Sequence, residues 1–321
     1  METIVCTLFE KVYHHGVAAL ANSLYASGFR GDMCVGYRGP LPPWVSDPEP
    51  SDELKWEGAT SFRAANGLRL LFLPLETNFH LANFKAEFMR EIISRSSQKI
   101  RGLFYMDPDI VVTAKWECFE RWLSVGGVVG VENDWSPIPV THPRRLEWIK
   151  YYKEFGRELN PKSDIYVNSG IVGVLCENLD FIELWEAMSH EMSPAIGGLE
   201  NCAALHTGPV LPIYDCFSAP DQDAMNAAID AYPKVVSVMG KEFMGMKPGF
   251  CGAPHALGSP KPWSQEFFRR YFLTGYRPTI ADVGFWENAS GPISSLPSKL
   301  ISRKLLAMKI IRFLARFYRR S

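Results

Sequence analysis

The chain has 321 residues, of which 47% are apolar and 21% charged, with a formal net charge of −1. That composition belongs to a folded globular protein and excludes a disordered chain or a fibrous repeat. The charge is unevenly placed: residues 298–321 carry eight Lys or Arg and no acid, which leaves 26 basic against 35 acidic groups, a net of −9, on the rest. An acidic body argues against nucleic-acid binding, which needs a basic face on the body itself.

Apolar runs alternate with helix-period segments from the start. Thr3–Phe9 reads as a buried strand, a helical pattern follows from Val12 to Tyr25, and Asp32–Tyr37 is a second strand. Prolines at 40, 42, 43, 48 and 50 then predict an irregular surface loop. Leu68–Leu73 is a strand and Leu81–Ser94 a helix; Leu103–Val112 is a strand interrupted by Asp-Pro-Asp, followed by a helix at Trp116–Leu123 and a strand at Gly127–Glu132. Tyr166–Leu175 and Lys234–Met239 continue the strands, with helical segments at 179–191 and 222–231 between them. This alternation predicts an open, mostly parallel α/β sheet covered by helices on both faces, with ligands bound at the carboxyl ends of the strands. There is no internal repeat, so one domain over 1–285 with a tail over 286–321 is expected.

The seven cysteines are scattered and form no C-x-x-C, so neither a disulfide framework nor a zinc knuckle is indicated. The N-terminus lacks the basic start and apolar run of a signal peptide, and no stretch of about 18 apolar residues could span a bilayer. A reducing, cytoplasmic compartment is expected.

Four segments carry chemistry. In Asp107-Pro108-Asp109 two carboxylates stand at i and i+2 where an apolar strand runs out, and in extended chain such positions point the same way. Carboxylates that close repel unless a cation lies between them, although a plain polar turn has the same composition. The loop His255-Ala256-Leu257-Gly258-Ser259-Pro260-Lys261-Pro262-Trp263 places an imidazole near Gly and Lys, which could contact metal and phosphate together or could be ordinary turn chemistry. Asn168-Ser169-Gly170 is a polar triplet inside an apolar strand, to be satisfied by backbone or by a ligand. Asp221-Gln222-Asp223 opens a helical segment, where acids also serve as caps and first-turn charges.

Taken in order, Asp-x-Asp, Asn-Ser-Gly, Asp-Gln-Asp-x-x-Asn and His-x-x-Gly-x-x-Lys-Pro-Trp resemble glycosyltransferase family 8 over residues 3–265. That family includes bacterial lipooligosaccharide galactosyl- and glucosyltransferases and, more distantly, glycogenin. The Asp-Pro-Asp form is unusual for it, and the stretch 192–219 has no counterpart in its pattern. The resemblance implies a GT-A type fold and a divalent ion, Mn²⁺ or Mg²⁺, held by Asp107, Asp109 and His255. It implies donor binding by Thr7, Lys85, Asp107, Asn168, Ser169, Gly258 and Lys261, with Asp221 and Gln222 beside the reacting sugar. The donor would be a UDP-sugar and the reaction a retaining hexosyl transfer by front-face displacement. An inverting enzyme on the same fold, with Asp221 or Asp223 as base, is the enzymatic alternative; a non-catalytic assembly protein is the other.

The tail reads as a basic amphipathic helix. At about 100° per residue, Lys309, Arg312, Arg316, Arg319 and Arg320 share one side, and Leu306, Ile310, Phe313, Leu314 and Phe317 another. An anionic membrane surface is the expected partner of residues 298–321, with a helix docked on the acidic body as the alternative. Together with the resemblance, this predicts a peripheral enzyme on the inner face of a membrane, acting on a glycan or lipid-linked saccharide in cell-surface polysaccharide synthesis.

Overall fold

The computed structural model describes residues 2–96, 100–202 and 216–317. In chain order the elements are β1 (Glu2–Glu10), α1 (His14–Ala26), β2 (Gly31–Arg38), β3 (Glu49–Pro50), β4 (Thr60–Ala65), β5 (Leu68–Pro74), α2 (Lys85–Arg95), β6 (Ile100–Met106) and α3 (Trp116–Gly126). They continue with β7 (Val128–Glu132), α4 (Pro143–Lys153), β8 (Val167–Leu175), α5 (Leu179–Ile196), α6 (Pro220–Ala231), β9 (Ser237–Met239), α7 (Phe267–Thr274), α8 (Ile280–Asn288) and α9 (Ser298–Leu314).

The strands form one sheet in the order β3-β4-β5-β2-β1-β6-β8-β7-β9. Its centre, β5-β2-β1-β6, is parallel, and β4 and β8 run against the others. This is the mixed α/β class expected. Side chains alternate along a strand, and β1 divides accordingly. Ile4, Cys6 and Leu8 enter a core shared with α2, α5 and α6, whereas Val5 and Phe9 enter the core under α1 and α3. Burial on both faces explains why β1, β2, β5 and β8 read as continuous apolar runs.

Two departures have local causes. The strand expected through Val112 ends at Met106, because Pro108 cannot donate to a ladder and the chain leaves the sheet at Asp107. Ile110 then makes an isolated bridge with His255, so the Asp-Pro-Asp turn is tied to the His255 loop. The strand β4, at an antiparallel flank of the sheet, has only half-buried or exposed residues and so lacks a clear apolar signature. Helices α4, α7 and α8 are further elements that the sequence pattern left unassigned. The stretch 192–219 begins as the last turn of α5, and its residues 203–215 lie outside the described residues.

The tail is a docked helix. Ile301, Met308 and Ile311 of α9 and Ala315 just after it pack with Phe267 and Tyr271 of α7 and Phe285 and Trp286 of α8 in a third core cluster. Lys304 lies in the same buried stripe, donating to Gln265 O and Glu266 Oε1. Leu314, expected on the exposed apolar side, is partly buried against this cluster. The opposite side carries Leu306, Ile310, Phe313 and Phe317, all exposed. Residue 285, expected to close the catalytic domain, lies within α8, and Arg319 and Arg320 fall outside the described residues.

Candidate active site

Strand β6 ends by delivering Asp107 to the carboxyl edge of the sheet, and the backbone fixes it there: Asp107 N–H donates to Gly170 O at 2.8 Å. The following turn passes against α1 at Gly16, where a Cβ would stand 2.1 Å from Pro108 O. Only glycine permits that approach. The turn then joins the His255 loop, with Val111 N–H on Pro254 O and Ala256 N–H on Asp109 O. Two loops separated by more than 140 residues thus meet by backbone bonds, and their side chains converge.

Asp107, Asp109 and His255 each present a ligand atom within 4.8 Å of the others. His255 Nε2 lies 3.1 Å from Asp109 Oδ1 and 3.9 Å from Asp107 Oδ2. Gly170 makes this possible, since a Cβ there would meet His255 Cε1 at 2.8 Å and Asp107 Oδ2 at 2.9 Å. The glycine of the Asn-Ser-Gly triplet is therefore a steric requirement of the cluster. Lys261 Nζ donates to Asp109 Oδ2 and, at 2.8 Å, to Ala256 O. Burial works to raise the Asp109 pKa, but the charges of His255 and Lys261 and their hydrogen bonds outweigh it and hold the carboxyl well below the usual range.

A second ammonium ties the cluster to α6. Lys85, 3% exposed, lies 3.1 Å from Asp107 Oδ1 and 3.1 Å from Asp221 Oδ2, and donates to Ser169 Oγ and Ser169 O. Burial disfavours its charge, but the two carboxylates prevail and raise its pKa, so it remains an ammonium. Ser169 Oγ–H donates to Asp221 Oδ2 at 2.6 Å, and Tyr105 O–H to Asp107 Oδ1 at 2.8 Å. Gln222 Oε1 accepts from Asn133 Nδ2 at 3.1 Å and from Ser169 N–H at 3.3 Å, which fixes the face its amide presents. Asn168 Oδ1 accepts from Gly170 N–H at 2.8 Å.

Asp223 faces away from this cluster. It is fully buried, accepts from Tyr166 O–H and Ala219 N–H, and lies 3.7 Å from Arg144. Its bond to Ala219 N–H ties down the start of α6, in the manner expected of an acid in a first turn.

A cavity of about 670 Å³ opens over the cluster. Lys85, Asp107, Asp109, Asn168, Ser169, Asp221, Gln222, His255 and Gly258 all line it. Thr7 does not: it is fully buried three residues before β1 ends, and Leu8, Phe9 and Glu10 reach the cavity instead. The donor contact that the resemblance implies for Thr7 therefore falls inside β1 and not at its end. Lys261 is not part of the wall either, its ammonium being held by Asp109 and Ala256.

Residues that sequence reasoning passed over complete the wall. Asn133, Asp134 and Trp135 follow β7, and His80 precedes α2. Trp135 is 53% exposed and stacks on Tyr166 with ring centroids 6.4 Å apart. The polar run straight after an apolar strand was the available signal, since loops at the carboxyl edge of such a sheet carry ligand contacts.

No family model matches the chain, and no curated protein matches it. Among solved structures, that of a galactosyltransferase, LgtC, in complex with donor and acceptor sugar analogues is similar, with 13% identity and a TM-score of 0.47. It covers 94% of this chain and 100% of that one.

Two carboxylates and an imidazole form a donor set that suits Mn²⁺, or Mg²⁺ with water completing the shell. The cavity is of the size that encloses a small-molecule ligand. Around the carboxylate–imidazole cluster stand two lysines, a polar strand edge and the start of a helix, so the cavity can hold an anion through a cation, and Trp135 also lines it.

Proposed function

We propose that the protein is a metal-dependent glycosyltransferase that moves a hexose from a UDP-sugar to a glycan or lipid-linked saccharide with retention of configuration. The observation that carries this reading is the meeting of Asp107, Asp109 and His255 with Lys85, Asp221 and Gln222 around one cavity at the carboxyl edge of the sheet. When bound by Asp107, Asp109 and His255, Mn²⁺ or Mg²⁺ would supply Lewis-acid stabilisation of the leaving diphosphate.

The chain's own groups do the rest. Lys261 adds a mobile positive charge toward the diphosphate, and Gly258, at φ +72, lets the loop turn against it. Asn168 and Ser169 offer polar contacts to the donor sugar. Lys85 holds Asp221 in an ion pair, and Gln222 presents a neutral amide that can stabilise positive charge developing on the sugar ring. Retention is favoured because the acids of α6 are poorly disposed as bases. Asp223 is sequestered by Tyr166 and Ala219, and Asp221 is bound to Lys85 and Ser169. The departing phosphate is then the natural acceptor of the incoming hydroxyl's proton. Trp135 offers an exposed aromatic face to an acceptor sugar.

The membrane belongs to the same proposal. No helix among the described residues is long and apolar enough to cross a bilayer. Leu306, Ile310, Phe313 and Phe317 form an exposed apolar stripe along α9 and the turn after it, flanked on one side by exposed Lys309, Arg312 and Arg316. That pattern supports interfacial binding to anionic lipid on a cytoplasmic face.

Nucleotide release from a panel of sugar nucleotides, with Mn²⁺ and with or without chelator, tests the reaction. We expect chelator-sensitive turnover of one UDP-sugar, reduced at least about 100-fold in Asp109→Ala. Turnover of no donor, or turnover indifferent to chelator and to Asp109→Ala, overturns the reading; a product of inverted anomeric configuration overturns its stereochemistry.

A further inference from the structure

Lys261 carries a contact that its expected role at the diphosphate does not require. Asp109 is enclosed, with a side chain only 6% exposed, and both of its oxygens are engaged: Oδ1 by His255 Nε2 at 3.1 Å, Oδ2 by Lys261 Nζ. Asp107 meets the other ammonium, Lys85, at 3.1 Å. Each carboxylate of the cation site thus meets a lysine, although Lys85 is shared with Asp221. A divalent ion entering as things stand meets Asp109 already paired with an ammonium, and Asp109 can give it Oδ2 only if Lys261 withdraws.

The lysines are unequal in their freedom to do so. Lys85 is 4% exposed at its side chain and is held by Asp107, Asp221 and Ser169 together. Lys261 is 17% exposed, stands in a loop, and among the described residues its ammonium has Ala256 O besides Asp109. Its ammonium is a point charge on a flexible stem, able to change partner by rotating side-chain bonds. A nucleoside diphosphate brings the negative charge that would draw it away.

We propose that Lys261 couples metal and donor binding: it occupies Asp109 as a surrogate cation and yields that carboxylate to the divalent ion when a diphosphate takes its ammonium. This rests on the functional reading above and adds an order of affinities to it. Metal alone binds weakly, because it competes with an ammonium already in place. Metal and diphosphate bind cooperatively, because each removes the other's competitor, and the coupling is reciprocal.

Mn²⁺ binding to the full-length protein, followed by the EPR signal of free Mn²⁺ with and without UDP, tests this without any turnover. In the wild type, UDP should tighten Mn²⁺ binding by about tenfold or more, within the usual range of such couplings. Lys261→Met removes the competitor and the diphosphate's partner together. It should bind Mn²⁺ alone about fivefold tighter than the wild type, and UDP should help it by less than about threefold. Lys261→Gln provides a second neutral variant should Lys261→Met fold poorly, and Lys261→Arg, which keeps a cation, should stay near the wild type for metal alone. Metal-alone affinity unchanged or weakened in both neutral variants overturns the proposal while leaving the metal-dependent reading intact. Equal gains in Lys261→Arg and Lys261→Met overturn it too, since loss of charge would not then be the cause. No Mn²⁺ binding by the wild type in the presence of UDP overturns both.

Discussion

Lys85 is the residue on which the site's geometry turns. Its Nζ holds two carboxylates from different elements, Asp107 after β6 and Asp221 in α6, in a place almost closed to water. Replacing it with Met leaves both charges without their counter-ion, and breaking a buried pair in this way costs about 3–5 kcal/mol. Lys85→Met should therefore lower the melting temperature as well as turnover. Adding Asp221→Asn should restore part of the stability, a non-additivity that a double-mutant cycle measures. Equal melting temperatures for wild type and Lys85→Met would show that the network does not hold the two elements together. Asp223, two residues along the same helix, makes a different contribution. Burial raises its pKa to about 7 against the opposing pull of Arg144 and the hydrogen bonds from Ala219 and Tyr166. The folded protein then keeps a proton that the unfolded chain has lost, so this group's contribution is fully present below the unfolded value of 3.8 and disappears as pH rises through about 7. Urea unfolding at pH 5 and pH 8 should show Asp223→Asn gaining stability relative to the wild type at the higher pH, by on the order of 1 kcal/mol. A difference independent of pH would assign Asp223 the ionised state throughout.

Among the elements, α9 shows how far a sequence pattern reaches. Its exposed stripe of Leu306, Ile310, Phe313 and Phe317 was legible because four large apolar residues share a face beside basic ones. The docked stripe was not, because Lys304 interrupts it, and a lysine in a helical pattern reads as solvated. In the fold that lysine is buried, its ammonium reaching Gln265 O and Glu266, while its neighbours Ile301, Met308 and Ile311 pack on α7 and α8. The helix therefore has two apolar faces. Removal of residues 298–321 should cost stability of several kcal/mol, at about 1.5–3 kcal/mol for each large side chain returned to water, and should expose Phe267, Tyr271 and Trp286. A tail acting only as an anchor would instead leave the melting temperature of the remaining chain unchanged. The same distinction explains the rest of the sequence comparison. Strands buried on both faces, such as β1, and the spacing of Asp107, Asp109, His255 and Lys261 could be read in one dimension. That Asp221 faces the cavity while Asp223 faces Tyr166, or that Gly170 is the space His255 needs, depends on how α6 and β8 lie against each other.

At the scale of the whole molecule, the charge is segregated: eight basic residues and no acid in 298–321, and a net of −9 on the remainder. Such a body is repelled by an anionic bilayer, while the exposed lysines and arginines beside the α9 stripe are attracted, each by about 1 kcal/mol close to the surface. At an anionic surface, as proposed, the two effects would act together to orient the molecule, turning the α9 side toward the lipid. They differ from the apolar contribution in their response to salt, since charges separated by more than about 10 Å are screened at 0.1 M ionic strength, whereas burial of Phe313 and Phe317 is not weakened by it. Sedimentation with vesicles should therefore show strong retention on anionic lipid at low salt, a marked loss on raising the salt, and little retention on neutral vesicles at any salt. Phe313→Ser with Phe317→Ser, both sites being more than half exposed, should leave the fold and its melting temperature intact. Those substitutions should also reduce the salt-resistant part of the binding several-fold. Retention that is indifferent to salt and to lipid charge would mean that the basic residues serve the docking of α9 on the body and not a membrane. Loss of vesicle binding on substituting Lys309, Arg312 and Arg316 with Glu, at an unchanged melting temperature, would place them at the lipid surface.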